Sequence, residues 1–161
     1  MTEQTWNSLD PADAQSLRQQ GHRMLDDMFD YVESIRERPV WQPIPAEVRS
    51  SFREPLPAGP TDLAVAHARF MDNVLPYAVG NVHPRFMGWV HGGGTVVGML
   101  AEMLAAGLNA NLGGRDQMPL QVEQQIVTWM RDLFGLPETA DGVFVTGSST
   151  ANLIGVLIAR T

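Results

Sequence analysis

The sequence contains neither cysteine nor lysine. Without cysteine there can be no disulfide framework and no thiolate metal site, which suits a cytoplasmic protein. Without lysine all 11 basic residues are arginine, and chemistry that needs a lysine amine cannot be done by this chain. Positive charge is scarce overall. The formal charge of -7 argues against nucleic acid or an anionic membrane as a partner. Long apolar runs are missing too. The nearest, 96–108, is broken by Glu102 and falls short of the ~18 residues of a membrane helix. The opening MTEQTWNSLDPADAQ has no basic and then apolar stretch, so no secretory signal is expected. The four histidines, His22, His67, His83 and His91, form no pair at metal-ligand spacing beside a carboxylate, so no metal site is expected.

What is present is a soluble globular composition, 44% apolar and 18% charged over 161 residues, long enough to build a core. Residues 11–38 are expected to form a long helix, with Asp10 as cap and Pro11 in the first turn. Leu17, Met24, Leu25, Met28, Val32 and Ile35 make its apolar stripe. Pro39 ends it. Six prolines between 39 and 60 predict an extended connector with a short turn at 46–52. Such an arm can lie on a partner subunit or wrap its own domain. A second helix starts at Thr61 or Asp62, with Leu63, Ala66, Phe70 and Val74 on one face.

VHPRFMGWV, 82–90, reads as a short extended segment, and the glycines at 92–94 permit positive φ or close backbone approach. Thr95 caps a helix over 96–108, along which Gly98, Ala101 and Ala105 allow close packing. Residues 109–119 form a loop, and 120–134 a further helix stopped by Gly135 and Pro137. A strand at 143–146, a turn at 147–150 and a helix from 151 complete the pattern.

Few residues suggest chemistry. Gly147, Ser148, Ser149 and Thr150 would set backbone N–H groups and hydroxyls at a helix N-terminus, a generic anion site. An ordinary Ser/Thr cap would look the same. The helix that follows, ANLIGVLIA, is apolar almost all round and so built to be buried. His91, beside Trp89 and opening a glycine run, is either a pocket wall or a structural loop residue. His83, before Pro84, holds a turn, and His22 and His67 read as surface or helix-face residues. Arg115 and Asp116 form a solvated turn, or Arg115 holds a substrate carboxylate. Glu102 and Glu123 have no partner at acid–base spacing and receive no catalytic role.

Five stretches in order, IRERPVW, HPRFMGWV, GMLAEMLAAGLNAN, VEQQIVTWMRDLFGLP and VFVTGSSTANLIGVLIART, resemble the N-terminal part of the group II pyridoxal-phosphate-dependent amino-acid decarboxylases. That family includes the aromatic-L-amino-acid, histidine and glutamate decarboxylases, and NANLGG looks closer to bacterial members of unassigned substrate than to the animal enzymes. The resemblance implies a type I fold, an α/β domain around a mostly parallel sheet, and an obligate homodimer with an exchanged N-terminal arm. It divides the chain into an arm at 1–60 and the start of the cofactor-binding large domain at 61–161. The part present would be mostly helical.

The resemblance puts the cofactor phosphate on Ser148, Ser149 and Thr150, and the substrate pocket wall on Trp89, His91 and Gly92. Where aromatic decarboxylases carry a threonine that contacts the ligand, this sequence has Gly92. Trp89 offers a stacking face and Gly92 leaves space, so both favour an aromatic amino-acid substrate. A pairing of Arg115 with an acidic substrate is the rival, and a non-catalytic helical module that binds a partner or dimerises is the alternative from another class. The family's Schiff-base lysine, the aspartate facing the pyridine nitrogen and the histidine stacked on the ring lie farther along the chain. No catalytic residue is therefore expected in this stretch, which reads as an inactive N-terminal fragment of a cytoplasmic decarboxylase.

Overall fold

A computed structural model describes residues 13–111, 113 and 116–160. Helix α1 runs Ala14–Glu33, α2 Ala46–Ser51, α3 Leu63–Asn73, α4 Val96–Leu108, α5 Met118–Leu133 and α6 Ser148–Arg160. The chain divides into two compact units, Met1–Glu102 and Met103–Thr161.

In the first unit α1 begins where a side chain can satisfy its free N–H groups. Asp13 Oδ1 accepts from the N–H of Gln15 at 2.9 Å and of Ser16 at 3.2 Å. The expected cap at Asp10 and Pro11 lies outside the described residues. At its far end α1 stops at Glu33 and tightens into a 3-10 turn, Ile35–Glu37, short of the single helix to 38 that periodicity suggests. Ser34 draws the chain out of helix by donating its hydroxyl to the Asp30 carbonyl at 2.7 Å and accepting from Arg38 Nε at 3.1 Å.

The Pro-rich stretch does not run free. Gln42 Nε2 donates to the Pro76 carbonyl at 2.8 Å, and the Gly80 N–H donates to the Val40 carbonyl at 3.0 Å. Arg69 on α3 bonds Glu54 at 3.1 Å and the Ser51 carbonyl, with its guanidinium 4.9 Å from the Phe52 ring centre. These contacts tie residues 40–54 to their own unit, and the turn expected at 46–52 is the short helix α2.

Helix α3 is capped by Asp62, which accepts from the Ala64 N–H at 2.7 Å. It packs on α1, and its C-terminal end tightens into a 3-10 turn at Leu75–Tyr77. Here lies what interior the unit has: Leu75 is 8% exposed, His67 8% and His83 4%. His67 is thus no surface residue. Its Nδ1 lies 3.0 Å from Gln20 Nε2 and its Nε2 lies 3.4 Å from Asp27 Oδ2, both on α1. Helix α4 starts as expected, with Thr95 Oγ1 accepting from the Gly98 N–H at 2.9 Å.

In the second unit α5 ends in a full Schellman motif. Gly135 adopts φ +62, its N–H donates to the Asp132 carbonyl, and the Leu136 N–H reaches the Arg131 carbonyl at 2.9 Å. No strand forms among the described residues, 143–146 included. A strand exists only through a ladder with a neighbour, and no described segment offers one. The chain as described is helical, as expected of this portion, without the sheet of an α/β fold. Large apolar side chains stay exposed, among them Leu153, Val156, Leu157 and Ile158 of α6.

Candidate functional site

The glycine–serine–serine–threonine segment lies in the second unit and is more helical than its sequence suggests. Gly147 takes φ +86, a conformation costly for any residue with a Cβ. Its N–H closes a tight turn onto the Val145 carbonyl at 3.0 Å. Helix α6 then starts at Ser148, not at 151, because Ala151 N–H already donates to the Gly147 carbonyl at 3.3 Å. Ser148, Ser149 and Thr150 are its first turn. Their backbone N–H groups donate to no described residue, as the geometry of a helix start requires. Ser148 and Ser149 are exposed and their hydroxyls are unengaged among the described residues. Thr150 differs: it is half-buried and its hydroxyl donates back to the Thr146 carbonyl at 3.2 Å. The arrangement is a concentration of unspent donors at the positive end of a helix dipole, suited to an anion with several oxygens.

The segment leading into this turn is held from α5. Glu123 Oε1 accepts from the Phe144 N–H at 2.9 Å. Two residues earlier, a Cβ on Gly142 would meet Val127 at 3.3 Å, so the backbone runs close over α5. Sequence reading gave Glu123 no part because its partner is a main-chain group 21 residues away.

The aromatic loop belongs to the first unit. Gly80 begins it in a place that admits only glycine, since a Cβ there would sit 2.6 Å from the Val40 carbonyl. His83 holds the turn as expected: its Nδ1 accepts from the Arg85 N–H at 3.0 Å. That acceptor role leaves the proton on Nε2, which is buried and has no partner among the described residues. Phe86 then organises the residues picked out by sequence. Its ring meets Trp89 edge-on at 4.9 Å and His91 at 5.1 Å. Gly88 lets this happen, because a Cβ there would lie 2.5 Å from the Phe86 ring. Phe86 and Gly88 were missed in the sequence; the small residue two positions after an aromatic was the available signal.

His91 is fixed on both sides. Its Nε2 lies 2.9 Å from the Asn81 carbonyl and its Nδ1 3.2 Å from the Trp89 carbonyl, and a neutral ring donates through only one of them. Trp89 is 57% exposed. Gly92 has no atom within 4 Å of where a Cβ would stand. Trp89, His91 and Gly92 are therefore brought together on one exposed loop. Arg115 lies outside the described residues. Among those described, no group of three or more His, Asp or Glu could hold a metal ion, and no helix is long and apolar enough to cross a membrane.

Comparison with known proteins adds to this geometry. The pyridoxal-dependent decarboxylase conserved domain matches residues 45–161. An aromatic-L-amino-acid decarboxylase of Bacillus atrophaeus is 30% identical over 152 residues, covering 91% of this chain and 31% of that protein. A phenylacetaldehyde synthase of Arabidopsis thaliana is 28% identical over 159 residues, covering 94% of this chain and 32% of its own. Among solved structures, Catharanthus roseus tryptophan decarboxylase in complex with L-tryptophan superimposes with a TM-score of 0.78 at 24% identity, over 94% of this chain and 33% of that one. The chain thus spans about a third of the length of the relatives it matches.

Proposed function

The chain belongs to the pyridoxal-dependent decarboxylase family, and from that we propose that it is the N-terminal part of a pyridoxal-phosphate-dependent decarboxylase of aromatic L-amino acids. The observation that carries the reading is the first turn of α6. Behind Gly147, three backbone N–H groups and the hydroxyls of Ser148 and Ser149 are free to donate. A phosphate needs such donors, and the residues present fit it. When bound, the cofactor's pyridine ring would supply an electron sink for the electron pair left by loss of carbon dioxide.

The chain's own residues bind and orient. Ser148, Ser149 and the α6 N-terminus hold the phosphate, with Thr150 contributing its N–H, since its hydroxyl is turned to Thr146. Trp89 presents an apolar face for the substrate ring, steadied from behind by Phe86. Gly92 leaves room beside it. His91, donating to one of the Asn81 and Trp89 carbonyls, holds the loop. The lysine that holds the cofactor covalently has to come from sequence beyond this stretch, because none is here. In the intact protein the large domain would be of the type I α/β kind, with 1–60 as an arm in a homodimer. The exposed apolar faces of α4 and α6 support this, since they need further protein to cover them. A cytoplasmic location and a bacterial subclass belong to the same reading.

The likeness to a phenylacetaldehyde synthase supports a second outcome for the same site, an aldehyde product in place of the amine. A panel of amino acids assayed on the full-length gene product for carbon dioxide, amine and aldehyde tests both. Turnover of tryptophan, tyrosine or phenylalanine is expected, and release of carbon dioxide from an acidic amino acid alone overturns the aromatic assignment. Replacing Ser148 and Ser149 by Ala should weaken cofactor binding by about 1.5–3 kcal/mol for each lost bond to phosphate. Unchanged affinity would mean that the turn only caps a helix.

A further inference from the structure

We infer that Glu123 is a positioning residue for the cofactor phosphate: it sets the direction in which the chain enters Gly147 and hence the aim of the first turn of α6. The inference rests on the function proposed for that turn.

The argument starts from two contacts between α5 and the segment 142–144. Gly142 lies over Val127, close enough that a Cβ would come within 3.3 Å of its methyl. The Phe144 N–H donates to Glu123 Oε1 at 2.9 Å. Glu123 and Val127 are four residues apart on α5, so they share a face and stand about 6 Å apart along the axis. Gly142 and Phe144 are two residues apart in extended chain, a span of about 6.6 Å. The two spacings match. The segment therefore runs antiparallel to α5, pinned at both positions in register.

Only one of these pins is directional. Gly142 over Val127 is a van der Waals contact, permissive of sliding. A charged acceptor on a half-buried helix residue demands the Phe144 N–H at one distance and one angle. From Phe144 to Ser148 the chain has little slack: Gly147 N–H bonds the Val145 carbonyl, and Ala151 N–H bonds the Gly147 carbonyl. A rotation of the segment at Phe144 is passed through that turn to the N–H groups of Ser148, Ser149 and Thr150. The Glu123 carboxylate is engaged with the Phe144 N–H, so its role is exerted through this backbone and is positional.

The test uses the full-length protein carrying this sequence, loaded with pyridoxal phosphate. Glu123→Ala removes the acceptor, Glu123→Asp withdraws it by one methylene, and Glu123→Gln keeps a carbonyl oxygen in its place. Cofactor affinity is read by spectral titration, the setting of the phosphate by its 31P chemical shift, and folding by the melting temperature of the cofactor-free form. Glu123→Ala and Glu123→Asp are expected to weaken cofactor binding about tenfold and to move the 31P signal, while Glu123→Gln stays within about threefold of wild type. If Ala does not fold, Asp and Gln decide the matter. Wild-type affinity in the Asp variant, a Gln variant no better than Asp, or a lowered melting temperature with the 31P signal unmoved overturns the inference. The double Ser148→Ala, Ser149→Ala variant separates the two levels. Weakened binding there with no effect at Glu123 sinks the positioning role alone, and unchanged binding there sinks the phosphate site and the role of Glu123 with it.

Discussion

The imidazole of His67 on α3 stands between two side chains of α1, with Nδ1 3.0 Å from Gln20 Nε2 and Nε2 3.4 Å from Asp27 Oδ2. Gln20 and Asp27 are seven residues apart, two turns of the same helix face. With the Gln20 amide donating to Nδ1, the ring proton sits on Nε2 beside the carboxylate. This polar bridge spans the two helices beside the apolar side chains of Met24, Met28, Leu63 and Phe70. His67→Ala should destabilise the first unit by about 1–3 kcal/mol, from the lost bond and the unpaired amide left behind. Asp27→Asn should cost below about 1 kcal/mol, because the carboxylate is partly solvated. Urea unfolding of the two variants checks the order, and an equal cost for both would show that the Asp27 contact carries the junction.

His83 raises the opposite question, since it is buried with its Nε2 unpartnered. Asn at this position keeps an acceptor atom where Nδ1 receives the Arg85 N–H and exchanges the orphan Nε2–H for a shorter amide group. His83→Asn is expected to change stability by no more than about 1 kcal/mol. His83→Leu strips the acceptor and should cost about 1–3 kcal/mol. Denaturant midpoints that rank Leu above Asn would show that the turn does not depend on that bond.

Asp13 makes the start of α1 sensitive to acid. The Ser16 N–H, then that of Gln15 and the Ser16 side chain, bind its carboxylate and hold its pKa below the ordinary value, with only slight opposition from desolvation. A depressed carboxylate stabilises the fold above the unfolded pKa, near 4, and loses that contribution as pH falls through the lower folded value. Protection of the Gln15 and Ser16 amides, measured as exchange relative to the unstructured chain at the same pH, should therefore fall below about pH 4. In Asp13→Asn, which keeps an oxygen acceptor but cannot titrate, that acid step should disappear.

The helices were legible in the sequence because their signals are local. Asp62, Thr95 and Gly135 cap or stop helices where their side chains or backbones say they should. Two of the failures share a cause, a partner distant in sequence. Residues 143–146 carry strand character, but a strand needs a neighbour, and the Phe144 N–H found a carboxylate on α5. His67 read as a surface or helix-face residue, and it falls in the row Leu63, His67, Phe70, Val74 with helical spacing. Position in that stripe was the better guide than polarity. At the candidate site, Trp89, His91 and Gly92 were visible as a loop of unusual composition, while Phe86, which carries the edge-on contacts, passed as one more aromatic. Ser148 and Ser149 were visible as donors. That Thr150 spends its hydroxyl on Thr146 was not, because it follows from α6 starting early.

The three most enclosed side chains of the first unit, two histidines and one leucine, also fix how it responds to heat. The heat-capacity increment of unfolding tracks the apolar surface newly wetted, at about +0.45 cal/K/mol per Å², while newly wetted polar surface subtracts about 0.26. Each polar group enclosed there lowers the increment relative to hydrocarbon in its place. The enthalpy of unfolding then changes less with temperature, and the stability curve is the shallower for it.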